Sequence, residues 1–177
     1  MSEQIENMLL EGGGINWLDH GGLNPLHEII NNEAYETGEQ FYDIIKRIIS
    51  QENFDVNQKD KLGRNALHFL CENYSKENLT DVIQLLIEKG IDISSYDNAG
   101  DNALGYVFRN ANQEVAVKII KFLARHGILF RHQHETEKYY DIFEKGGNFG
   151  IEILQYFAKK NITLWWHQDC NSCNAIL

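Results

Sequence analysis

The stretch Asp60-Lys61-Leu62-Gly63-Arg64-Asn65-Ala66-Leu67-His68 occurs in three versions along the chain. The first is Asp19-His20-Gly21-Gly22-Leu23-Asn24-Pro25-Leu26-His27, and the third is Asp97-Asn98-Ala99-Gly100-Asp101-Asn102-Ala103-Leu104-Gly105. In register, all three keep an Asp, a Gly three residues later, an Asn, a Pro or Ala, and a Leu. The Gly supplies backbone freedom for a tight turn, and the Asn is a short side chain suited to capping a helix N-terminus. Pro25, the only proline, falls at the start of a helix, where its missing N–H costs nothing.

An apolar helical pattern follows each copy: Ile45, Ile48 and Ile49; Val82, Leu85 and Leu86; Ile119, Phe122 and Leu123. The patterns close on Asn53-Phe54-Asp55-Val56, Gly90-Ile91-Asp92-Ile93 and Gly127-Ile128-Leu129-Phe130. Gly90 and Gly127 read as C-caps. A unit of this kind cannot bury its apolar face alone, so neighbours must stack to make a continuous core.

These residues resemble the ankyrin repeat, whose consensus has a turn with Asp and Gly, a Thr-Pro-Leu-His tetrapeptide and a Val-x-x-Leu-Leu-x-x-Gly second helix. The corresponding tetrapeptides here are Asn24, Pro25, Leu26 and His27; Asn65, Ala66, Leu67 and His68; and Asn102, Ala103 and Leu104, with Gly105 in the last slot. The resemblance implies an all-α solenoid of stacked antiparallel helix pairs with short turn fingers. It also implies that His27 and His68 tie neighbouring turns by hydrogen bonds.

The copies exceed the family's length of about 33 residues, with 41 residues from Leu26 to Leu67 and 37 from Leu67 to Leu104. The surplus falls between paired helices, around Asn31 to Gln40, Asn73 to Asn78 and Asn110 to Gln113. Elongated inter-helix segments are expected there. The expected organisation is one array over 1–164: a half repeat at 1–18, repeats at 19–57, 58–94 and 95–130, and a degenerate capping repeat at 131–164. Ile5, Met8, Leu9 and Gly13 carry the half repeat, while Tyr139 to Phe143, Ile153, Tyr156, Phe157 and Asn161 carry the cap. A tail occupies 165–177.

The formal charge of −10 opposes binding to a phosphate backbone or an anionic membrane, since that affinity comes from clustered Lys and Arg. It favours a protein partner with a basic segment. The opening residues lack a basic region followed by a long apolar run, and no stretch approaches the roughly 20 apolar residues of a membrane span. A cytoplasmic or nuclear location is expected. Cys71, Cys170 and Cys173 are too few for a secreted disulfide framework.

Candidate chemistry is sparse. His167, Cys170 and Cys173 form a His-x-x-Cys-x-x-Cys with three zinc-type ligands, whereas a closed structural site wants four. The alternative is a tail anchored by Trp165 and Trp166. His132-Gln133-His134-Glu135 reads as a solvated loop, and Gly12-Gly13-Gly14 lacks the Gly-Lys-Ser/Thr ending of a phosphate loop. No nucleophile elbow, kinase set or zinc-protease motif is found, so no enzyme and no cofactor are expected.

The resemblance implies a concave face, built from turn fingers and first helices, that holds a partner protein. The positions mapped to it are Gln58, Lys59, Lys61, Arg64, Glu72, Tyr96, Asn98, Asp101 and Arg109. Tyr96 and the arginines are the residue types that most often dominate interface energetics. The expected function is a freestanding interaction module, either an adaptor or a competitive inhibitor. The chain is also similar to ankyrin-only inhibitors, of viral or effector type, that mask transcription factors of the NF-κB kind. A metal-binding role of the tail is the reading from another class.

Overall fold

The computed structural model describes Ile5, Asn7 and residues 17–32, 38–73, 78–109, 113–128 and 147–161. Among them the chain is helical and contains no strand. The helices are α1 (Pro25–Asn31), α2 (Gly38–Ile49), α3 (Ala66–Glu72), α4 (Leu79–Glu88), α5 (Ala103–Arg109), α6 (Gln113–Arg125) and α7 (Asn148–Lys159). The described residues are thus all-α, as the repeated stretch predicts.

The first helices start where Asn breaks the turn. Asn24 is extended, at φ −95° and ψ 172°, and its side chain accepts the His27 N–H while the His27 side chain accepts the Asn24 N–H. Asn65 repeats the arrangement with His68. Reciprocal capping satisfies two of the donors that a helix start leaves orphaned. The second helices end equally systematically. Gly90 and Gly127 are left-handed, at φ +86° and +89°, and Asn53 and Asn161 take the same region at φ +61° and +53°. The Gly90 N–H donates to the Ile87 carbonyl and the Ile91 N–H to that of Leu86; Gly127 and Ile128 repeat the pair on Ala124 and Leu123. This is the Schellman closure, and it needs a residue that tolerates positive φ.

Contacts divide the chain into two units, Met1–Ala103 and Leu104–Leu177. In the first unit α1 packs on α2 and α3 on α4, while α1 also meets α3 and α2 meets α4. First helices thus form one row and second helices another. α3 is buried from Ala66 to Cys71, whereas α2 buries Phe41, Ile44, Ile45, Ile48 and Ile49 and exposes Asp43, Lys46 and Arg47. The second helices therefore carry the amphipathic signal and the first helices do not.

In the second unit α6 packs on α7. Ile119, Ile120 and Leu123 are buried on α6, as are Ile153 and Phe157 on α7. Tyr156 helps join the two helices: its hydroxyl donates to the Lys121 carbonyl at 3.2 Å and accepts from Arg125 Nε at 3.3 Å. Lys121 Nζ also meets Glu152 at 2.6 Å. Ile153, Tyr156, Phe157 and Asn161 of the expected cap thus belong to α7 and its end, while Tyr139 to Phe143 lie outside the described residues. So do Met8, Leu9 and Gly13 of the half repeat and residues 33–37, 74–77 and 110–112 of the inter-helix segments.

Candidate functional site

The three fingers share one hydrogen-bond pattern. In each, Oδ1 of the leading Asp accepts two backbone N–H groups, from Gly21 and Leu23, from Leu62 and Arg64, and from Ala99 and Asp101. The N–H of that Asp closes the turn on the carbonyl four residues later: Asp19 on Leu23, Asp60 on Arg64 and Asp97 on Asp101, all at 2.9 Å. The Asp is thus a turn scaffold, its nearer oxygen spent on the backbone.

Neighbouring fingers are joined through their backbones. The Lys61 N–H donates to the Gly21 carbonyl and the Asn98 N–H to the Leu62 carbonyl, each at 2.8 Å. The turn glycines permit this approach. Gly63 sits at φ +80°, and a Cβ added there would lie 2.5 Å from Asn98 Oδ1 and 3.0 Å from the Asn98 nitrogen. Asn57 adds a further clamp, donating from Nδ2 to the Gly90 carbonyl at 2.9 Å and accepting the Asp92 N–H on Oδ1 at 2.6 Å.

The histidines divide. His68 accepts the Asn65 N–H on Nδ1, which also lies 2.7 Å from Asn65 Oδ1, and its Nε2 reaches the Asp101 carbonyl at 3.2 Å. His27 uses Nδ1 in the same way, but its buried Nε2 has no hydrogen-bond partner among the described residues. The expectation that both histidines tie neighbouring turns is therefore corrected. Only His68 does so, because the His27 ring instead packs against Phe69, with centroids 4.9 Å apart. Burial pushes both imidazoles down to about 4, so they are neutral, structural groups.

The mapped binding positions also divide. Lys59, Lys61, Glu72 and Asn98 are exposed, and Gln58, Arg64 and Tyr96 are half-buried. Lys59 Nζ reaches the Tyr96 carbonyl at 3.0 Å, and Asn98 Nδ2 the Lys61 carbonyl at 3.0 Å, so side chains from two fingers interleave. Arg64 is anchored: Nε meets Asp60 Oδ2 at 2.8 Å, one terminal nitrogen lies 3.4 Å from Glu72, and the guanidinium sits 4.2 Å from the centre of the Phe69 ring. Asp101 was expected at the surface but is only 2 % exposed. As the last finger residue, its backbone is pinned from both sides by Asp97 and His68. Arg109 belongs to the second unit, exposed and lying over the Tyr106 ring at 4.7 Å.

Sequence reasoning missed two residues. Leu62, at the tip of the second finger, is 58 % exposed, and Leu18, just before the first finger, is 52 % exposed. They are the large apolar side chains that the described part of the first unit leaves in solvent. Leu62 had a signal, since the other fingers carry Gly21 and Ala99 at the same register position. Beside Leu18 lies a small hollow of about 110 Å³, lined in part by Phe54 and Gln58. The tail residues His167, Cys170 and Cys173 lie outside the described residues, as does His132-Gln133-His134-Glu135. Among the described residues no helix is long and apolar enough to cross a membrane.

A row of pre-tied fingers over paired helices defines a repeat protein of the interaction class. A family model described as ankyrin repeats (3 copies) matches residues 32–134. The chain belongs to the ankyrin-repeat family, whose members serve as protein–protein interaction modules. No curated protein matches the chain.

Proposed function

We propose that the chain is a non-enzymatic adaptor or competitive blocker that holds a partner protein on its finger face. Leu62 and Tyr96 serve as apolar anchors, with Lys59, Lys61 and Asn98 around them. The observation that carries this reading is the exposure of Leu18 and Leu62 along the finger row, where the surrounding backbone is already locked. Exposed apolar groups on a rigid frame bind with little ordering cost. The fingers' chemistry supports binding over catalysis: Asp60 and Asp97 are engaged by backbone N–H groups, and both histidines are buried and neutral. A cytoplasmic or nuclear location fits this role.

The reading is tested by capturing a partner and titrating it against Leu62→Ser and Tyr96→Ala variants. Each should weaken binding by roughly 1 kcal/mol or more, the loss expected of an interface anchor. Unchanged affinity in both would remove the finger face as the site.

A further inference from the structure

The first unit carries a second concavity, and none of its lining belongs to the fingers or first helices. It is a cleft of about 570 Å³ between the second helices α2 and α4, lined by Tyr42, Asp43, Asn78, Asp81, Leu85 and Glu88, with Gln84 beside them. Two kinds of group meet there. Tyr42 and Leu85 offer an aromatic ring and an aliphatic wall, and Asp43, Asp81 and Glu88 offer carboxylates. Glu88 accepts from Gln84 at 2.8 Å. Neither the Asp43 nor the Asp81 carboxylate has an ion-pair partner among the described residues.

We propose that this cleft is a second interaction surface, and that its occupant is a basic segment of another protein, seating a Lys or Arg side chain against Tyr42, Asp43 and Asp81. Charge complementarity selects the occupant. Lys59 and Lys61 lie on the other row, and Lys46 and Arg47, exposed on α2 itself, make no ion pair with Asp43 among the described residues, so the acid of the cleft is open to a cation from outside. An aromatic face beside carboxylates suits an alkylammonium or guanidinium, which pairs with the acid while its stem or plane lies on the ring. A bare metal ion is a poorer fit, because no group of three or more acidic, His or Cys side chains among the described residues converges as metal ligands do. A cleft of this volume is large enough for such a side chain together with its flanking backbone.

The test uses the full chain and a fluorescein-labelled peptide of alternating Arg and Gly, followed by fluorescence anisotropy. The expected result is saturable binding that weakens as salt is raised, and a loss of about tenfold in the Asp43→Asn/Asp81→Asn double variant. A Glu52→Gln/Glu114→Gln double variant removes the same charge elsewhere and should change affinity by less than about twofold. All four positions are exposed, so the folds should persist, which circular dichroism would check. Equal losses in the two double variants would reduce the effect to net charge and overturn the proposal, as would the absence of saturable binding. Leu62→Ser should leave peptide binding unchanged; its loss there would move the basic partner to the finger face, also against the proposal.

Discussion

Nε2 of His68 donates to the carbonyl of Asp101, 33 positions along the chain and on the next finger. The corresponding nitrogen of His27 is buried without a hydrogen-bond partner among the described residues. Replacement by Leu removes the cap-accepting Nδ1 from either site, but only at position 68 does it also remove a cross-finger bond. His68→Leu should therefore cost about 1 kcal/mol more than His27→Leu in urea denaturation. Equal costs would show that the bond adds nothing.

Acid should weaken the protein through the same two rings. In the folded chain they stay neutral down to about pH 4, whereas unfolded histidines take up a proton near pH 6.5. Between those values the unfolded state binds more protons, so stability is complete above the window and falls as pH drops through it. The loss at pH 5 should be roughly 2 kcal/mol per histidine. Denaturation midpoints at pH 7 and pH 5 measure it, and the double variant His27→Leu/His68→Leu should flatten the dependence. An unchanged wild-type midpoint would contradict the burial of the rings.

Two glycines with the same backbone conformation should respond differently to Ala. Gly90 is at φ +86° with nothing within 4 Å of an added Cβ, so only the left-handed strain of about 1–2 kcal/mol applies. Gly63 is at φ +80° and its Cβ would strike Asn98. Overpacking should add a further 1–3 kcal/mol or so there. Thermal denaturation of both variants decides, and a Gly63→Ala no worse than Gly90→Ala would mean that the fingers are not in contact.

The repeat was legible because its chemistry is local. Asp60 serving its own turn, Asn65 capping its own helix and Gly90 ending its own helix each act within a few residues, so spacing alone reveals them. What stayed hidden depends on contacts between copies. Asp101 and Arg64 occupy the same register position as Leu23, yet one is buried and one lies across Phe69. The free Nε2 of His27 depends on Phe69, 42 positions away. With its bonds to Asp60 and Glu72, Arg64→Ala should loosen the second finger as well as any interface.

Leu67 tests the stacking itself. It is 1 % exposed on α3, the helix that meets both α1 and α4. Leu67→Ala should cost about 2–5 kcal/mol, since the cavity is walled by several helices and cannot close easily. A cost under about 1 kcal/mol in chemical denaturation would place the side chain outside the core.

The finger face as partner site is tested most directly by the dissociation constants of a captured partner for two pairs of variants. One pair, Leu62→Ser and Tyr96→Ala, alters the finger row; the other, Lys46→Ala and Arg47→Ala, alters the exposed side of α2. The finger variants should each weaken binding by about fivefold or more while the α2 variants change it by less than about twofold. Losses confined to the α2 pair, with the finger pair unchanged, would contradict the account and assign recognition to the second helices.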